Sequence, residues 1–433
     1  MNKSLYIVAF SLAFATTGIA QNNEGQDKVI DLGTQTTTEL RKTQAVSTIY
    51  SNELDKNAAT SPYNAIYGLL PGLSVMQNTS WGTDKSRLNV RGRGSLNGDT
   101  PLFVVDGFAR PLEYINLSEI ESISVLKDGA ATALWGGRGA NGVVLITTKR
   151  GIYSQKDIKV DYKFGLGFPV NQPEFADAYT YAKARNEALR YDGLQPDMDE
   201  ASFLSGGNSD LYPNVDWQKE ALRNHTTSHQ LDITFRGGGK RLRYFSVLNY
   251  KNDMGLLNSK YTDYTDRYNS QMKKYFLNLR MNLDVDITDA TKLKLSMLGM
   301  LRETKRPTTS EATLFEQIFN TPSAAFPVQT QNGFWGSNNV LKTNPIANLA
   351  DVGYYKLNQR MLQADLRLVQ DLSVLTRGLS VELAIAYDNN ATYQETAKKS
   401  FMYQTIEKGT DGEPIYTNYG NPNDELEISN KGL

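Results

Sequence analysis

Residues Tyr275 to Asp286 read YFLNLRMNLDVD, and their alternation decides the fold. Tyr275, Leu277, Leu279, Met281, Leu283 and Val285 are apolar. Asn278, Arg280, Asn282, Asp284 and Asp286 between them are polar. A period of two puts the first set on one face of a strand and the second on the other. The same pattern occurs at Ile158 to Phe168, Leu231 to Phe235, Leu242 to Tyr250, Leu293 to Leu301, Leu362 to Leu368 and Leu379 to Tyr387. A weaker eighth segment runs from Ala391 to Tyr403. Short connections, Gly237 to Lys240, Thr288 to Thr291 and Asp371 to Arg377, alternate with long ones, Gln172 to Asn224, Asn252 to Met272 and Arg302 to Tyr355. Strands of about ten residues, with short turns at one end and long loops at the other, are the signature of a transmembrane β-barrel. The apolar set then faces lipid and the charged set a wet interior. A soluble β-sandwich shares the alternation but not the loop asymmetry.

The chain has 433 residues, 46 Lys plus Arg against 47 Asp plus Glu, 24 tyrosines and no cysteine. Near-neutral charge gives no electrostatic case for nucleic acid. The lack of cysteine excludes disulfides, thiolate metal sites and a lipidated cysteine. Residues 1–20 (MNKSLYIVAFSLAFATTGIA) have a basic start, an apolar run from Leu5 to Phe14 and a small-residue end. They read as an export signal.

Between signal and barrel lies a compact α+β pattern. Ser61-Pro62 starts a helix. Strands follow at Leu88 to Val90, Pro101 to Val105 and Ile120 to Leu126, then an Ala-rich helix with Asp128 at its N-cap and a closing strand, Val143 to Lys149. Gly137, Gly139 and Gly142 have the spacing of a dinucleotide fingerprint. They follow a helix and precede a strand, the reverse of what pyrophosphate binding needs, so they read as a tight turn. A domain of about one hundred residues before a barrel suggests a plug. Eight strands enclose little more than their own side chains, and barrels that hold a plug have about 22. The polar end, Glu427 to Leu433, has no strand pattern, so the chain reads as the front part of a larger protein.

These motifs resemble the N-terminal part of SusC/RagA-type TonB-linked outer-membrane transporters. The resemblance rests on Val90-Arg91-Gly92-Arg93-Gly94-Ser95-Leu96, on Pro101-Leu102-Phe103-Val104-Val105-Asp106-Gly107, and on the stretch from Glu119 to Gly151. That stretch holds Lys127-Asp128 and Arg138-Gly139-Ala140-Asn141-Gly142. Looser similarity continues through Asp216-Trp217-Gln218, Gly237-Gly238 and Asn249-Tyr250 to Gly255. The resemblance implies an α+β plug domain followed by a partial antiparallel transmembrane β-barrel, with about eight strands of a larger barrel. The expected divisions are a signal (1–20), a periplasmic segment (21–49), the plug (50–151) and the first part of the barrel (152–433).

It further implies import of a nutrient, a glycan or peptide fragment, across the outer membrane of a Gram-negative envelope. TonB would gate the plug, and a SusD-like surface lipoprotein would cover the mouth at the long loops. The candidate TonB box is Lys28, Val29, Ile30, Asp31 and Leu32, an apolar island that looks exposed and extended, suited to pairing with a partner's sheet edge. A disordered linker is the bland alternative. Arg91, Gly92, Arg93, Gly94, Asp106, Gly107, Lys127, Asp128, Arg138, Gly139, Asn141 and Gly142 are expected to build or gate the plug, with Arg91, Arg93 and Arg138 pairing with carboxylates. No cofactor, metal or catalytic residue is expected. His225 and His229 lack a third ligand and read as surface residues. Other readings are a receptor that signals without importing, and a truncated, inactive product.

Overall fold

A computed structural model describes residues 7–13, 29–31, 36–38, 43–57, 59, 61–77, 86–94, 98–263, 265, 268–421 and 424–432. Its largest element is a nine-stranded antiparallel sheet. In spatial order the strands are Ile7–Ala13, Lys156–Gly167, Thr226–Gly238, Leu242–Met254, Lys273–Asp286, Thr291–Pro307, Gly353–Asp371, Ser380–Lys398 and Glu427–Gly432. The alternation sets its faces. Leu277, Leu279, Met281, Leu301, Leu362, Leu383 and Ile385 are exposed on the outside, while Asn249, Asn278, Arg280, Asn282, Asp284 and Asp365 are buried on the inside. That inversion of the usual burial rule is what a lipid-facing wall requires, because lipid rather than protein covers the apolar side.

The eighth strand after the plug is not where the alternation suggested. Ala391 to Tyr403 is no separate segment, since Ser380–Lys398 runs unbroken for 19 residues beside Gly353–Asp371. The eighth is instead the polar Glu427–Gly432, paired with Tyr393 to Lys398. Backbone pairing along an open edge, rather than an apolar face, makes it a strand. At the other edge Ile7–Ala13, within the expected export signal, pairs with Asp161 to Gly167. An unpaired edge offers a row of free N–H and C=O groups to any extended segment. The rest of residues 1–20 lies outside the described residues.

Packed against the inner face is an α+β domain. Its five-stranded sheet has the order Val46–Tyr50, Ile120–Leu126, Val143–Thr148, Leu102–Val105, Phe108–Ala109, and a hairpin pairs Leu73–Met76 with Arg87–Val90. Leu54, Ile66, Leu112, Ile120, Ile123, Val144 and Ile146 form its core. At Asp128 the side chain caps the helix Gly129–Thr132 by accepting from Ala131 N at 2.8 Å. The long connections fold into helices, among them Trp217–Ala221, Glu311–Asn320 and Pro345–Ala350. Trp217, Leu314, Phe326, Trp335 and Ile346 give them an apolar core of their own.

Candidate functional site: the seat of the plug on the wall

The inner domain meets the wall through charged and amide groups carried by alternate strand positions. Arg280 and Glu119 are both buried, and Arg280 Nε donates to Glu119 Oε2 at 2.5 Å. The other carboxylate oxygen accepts from Asn278 Nδ2 at 2.7 Å and from the backbone N of Asn116. Burial pushes the Glu119 carboxyl above its usual range, opposed by Arg280 and by these hydrogen bonds. Arg110 forms a fork with Asp365, Nη1 to Oδ2 at 2.6 Å and Nη2 to Oδ1 at 2.5 Å, and also reaches Asp388. The planar guanidinium suits this bidentate geometry.

Near the short-turn end, Arg150 donates to Asp284 at 2.7 Å and to Ser296 at 3.0 Å, and Asn282 donates to Lys149 O. Toward the long loops, Arg302 donates to Glu113 O, and Tyr114 packs with Phe276, Leu298, Met300 and Met361 in an apolar contact. The seat is not uniform. Against the strands 156–167 and 226–238 it opens into a cavity of about 420 Å³ lined by Asp55, Lys149, Lys159, Asp161, Asp232 and Arg236, among others.

Of the motif residues read from the sequence, Asp106 and Gly107 reach the wall. Asp106 accepts Thr148 N and Thr148 Oγ1 with its carboxylate, and its carbonyl accepts from Arg367. Both have positive φ, +46° and +87°. A Cβ on Gly107 would lie 2.5 Å from Arg367 Nη2, so the bare backbone is what lets the arginine close in. Other motif residues hold the domain together. Lys127 Nζ donates to Ser47 Oγ and Pro71 O, while Asp128 Oδ2 accepts from Ala45 N at 2.7 Å. Asn141 donates to Gly98 O, and a Cβ on Gly142 would stand 2.8 Å from Val90. Arg93 pairs with Asp99 beside Arg87. Arg91, Gly92 and Gly94 are exposed. Arg138 is also exposed, in an open cleft with Arg87 and Arg110, and Gly139 packs on Thr132 and Trp135.

Ile30 is extended, in the strand Val29–Asp31, but it is not exposed. It is 1 % accessible and packs with Val46, Val104, Leu126 and Leu145. Its neighbours Lys28 and Leu32 lie outside the described residues. On the outer wall, His229 Nδ1 shares a 2.8 Å hydrogen bond with Tyr162 OH and His225 lies beside Phe168. The residues that seat the domain, Arg110, Glu119, Arg150, Arg280, Asp365 and Arg367, were not singled out by sequence. The available signal was a charge at inward strand positions.

Residues 38–143 match the TonB-dependent Receptor Plug Domain family. SusC of Bacteroides thetaiotaomicron is 29 % identical over 283 residues, which cover 61 % of this chain and 26 % of SusC. The chain thus resembles SusC/RagA-type receptors. A TonB-dependent receptor of Formosa agariphila is 28 % identical over 281 residues, again 26 % of its length. The chain spans about a quarter of the length of these relatives. In fold it is similar to the RagAB peptide importer in its open-open state, with a TM-score of 0.68 at 19 % identity, covering 86 % of this chain and 43 % of that one. Its inner domain is a plug, and its antiparallel sheet has the fold of part of such a barrel.

Proposed function

We propose that this SusC/RagA-type chain is the plug-bearing part of an outer-membrane importer whose plug is displaced to admit a nutrient fragment. One observation carries the reading. The plug's own core is apolar, but its seat on the wall is mostly ion pairs and amide hydrogen bonds. Separating polar partners lets water replace each contact, at a net cost of about 0.5–1.5 kcal/mol for an ordinary hydrogen bond. The apolar core costs far more to open. A domain that coheres better than it adheres can move or rearrange without losing its fold.

In this reading TonB engages the segment Lys28 to Leu32 and supplies the work. Ile30 must then leave its apolar pocket before the segment can pair with a partner strand. A SusD-like lipoprotein meets the packed long loops. The substrate is a glycan or peptide fragment. RagAB is described as a peptide importer, and SusC carries a receptor name. Residues 1–20 direct export, and lipid surrounds the outer wall.

The test is deletion of Lys28 to Leu32 from the complete protein. Uptake should be lost while surface ligand binding is unchanged. Normal uptake by the deletion would show that the segment is not where force enters.

A further inference from the structure

Three adjacent strands carry a lysine at one register on the outer face. Lys273 stands directly opposite Lys305, and Lys305 directly opposite Lys356. Each shares its strand's outward parity with exposed apolar residues: Leu277 and Leu279 for Lys273, Met297 and Leu301 for Lys305, Leu362 and Leu366 for Lys356. Like charges directly opposite one another destabilise a sheet unless something neutralises them. The neighbouring carboxylates do so only in part. Glu303 holds Lys356 at 3.1 Å, and Glu395, directly opposite Lys356, accepts the Tyr354 hydroxyl at 2.5 Å, so two carboxylates face three lysines. Lys305 lies 5.2 Å from the Tyr354 ring.

The height of this row points to its ligand. Lys273 is four positions from Leu277 and Lys305 four from Leu301, on the long-loop side. Four residues span about 13 Å of strand, or about 10 Å along the membrane normal at a tilt of roughly 40°. The register row between them holds Tyr275 and, three strands away, Tyr393. Aromatic residues of this kind mark the membrane–water interface. The cations therefore sit just outside the tyrosines, where lipid headgroups lie.

We propose that Lys273, Lys305 and Lys356 bind phosphate groups of an anionic lipid in the leaflet on the long-loop side. This rests on the reading of the sheet as a lipid-facing wall. A lipid fits better than an acidic partner protein because the patch continues the apolar outer wall, so a headgroup reaches it while its acyl chains lie along Leu277, Leu301 and Leu362.

The test uses the purified complete protein in neutral phosphatidylcholine vesicles, then in the same vesicles with a bisphosphorylated lipid. Native mass spectrometry counts the lipid retained by wild type, by Lys273→Gln/Lys305→Gln/Lys356→Gln, and by Lys240→Gln at the short-turn end. Wild type and Lys240→Gln should retain the phosphorylated lipid. The triple variant should bind it roughly a hundredfold more weakly, at about 1 kcal/mol per lysine. Equal affinity of wild type and triple variant would overturn the site. So would saturation by inorganic phosphate alone, which would assign it to a free anion. Failure to enter neutral vesicles would overturn the wall reading itself, and the site with it. Insertion without lipid preference would overturn the site alone.

Discussion

Replacing Glu119 by glutamine should unseat the plug without unfolding it. The side chain keeps its size and can still accept a hydrogen bond, but Arg280 is left as an uncompensated charge in a site where both partners are buried. Breaking a buried pair from one side costs about 3–5 kcal/mol, whereas replacing both partners with apolar groups of similar volume is often neutral. At 3 kcal/mol, opening of the plug–wall seam should rise more than a hundredfold, since about 1.4 kcal/mol is tenfold. The absence of native cysteine provides a clean reporter. Gln363, on the inner face and 5 % accessible, is changed to cysteine, and its labelling by a hydrophilic maleimide measures opening. Glu119→Gln should accelerate labelling by that factor. Glu119→Leu/Arg280→Met should bring it back to within about tenfold of the parent. If Glu119→Gln labels within twofold of the parent, the pair does not hold the seat and the reasoning fails.

Gly107→Ala meets both a positive φ and Arg367, so it should cost about 1–3 kcal/mol and speed the same labelling; an unchanged rate would show that Arg367 swings away freely. Ile30→Ala should loosen the strand Val29–Asp31 by about 2–4 kcal/mol, seen as faster protease cleavage near it with the plug core unaffected. Backbone N–H groups of Ala131 and Ala45 hold the Asp128 carboxyl below its usual range. A depressed carboxylate contributes stability above its ordinary pKa of about 3.9 and loses it as pH falls through the lowered value. Amide-exchange protection of 45–50 should therefore be flat from pH 7 to pH 5 and decline below about pH 4. In Asp128→Asn it should be low and independent of pH, and a matching acid decline there would place the titrating group elsewhere.

The wall was legible because lipid on one side and a polar interior on the other leave a period-two signature in each strand. Val143–Thr148 and Ile120–Leu126 were legible as β-branched runs, and Asp128 as a cap, because both signals are local. Ser380–Lys398 looked like two segments because its outward positions lose their large apolar side chains at Asn389 and Ala391, while pairing with its neighbour continues, Asn389 standing opposite the still apolar Leu362. Glu427–Gly432 left no mark because only pairing makes it a strand. Ile30 looked exposed because its pocket comes from residues far along the chain. The seat was hidden for the same reason. Glu119 and Arg280 are 161 positions apart, and nothing local tells which inward arginine meets which plug carboxylate.

The central claim is that one face of this sheet meets lipid and the other meets the plug. Nitroxide labels placed one at a time from Leu277 to Asp284, in the protein in membranes, test it directly. Labels at Leu277, Leu279, Met281 and Leu283 should be accessible to dissolved oxygen, and labels at Asn278, Arg280, Asn282 and Asp284 should be immobile and shielded. The reverse pattern, with the leucines shielded and the polar set in water, would mean a soluble sandwich and contradict the account.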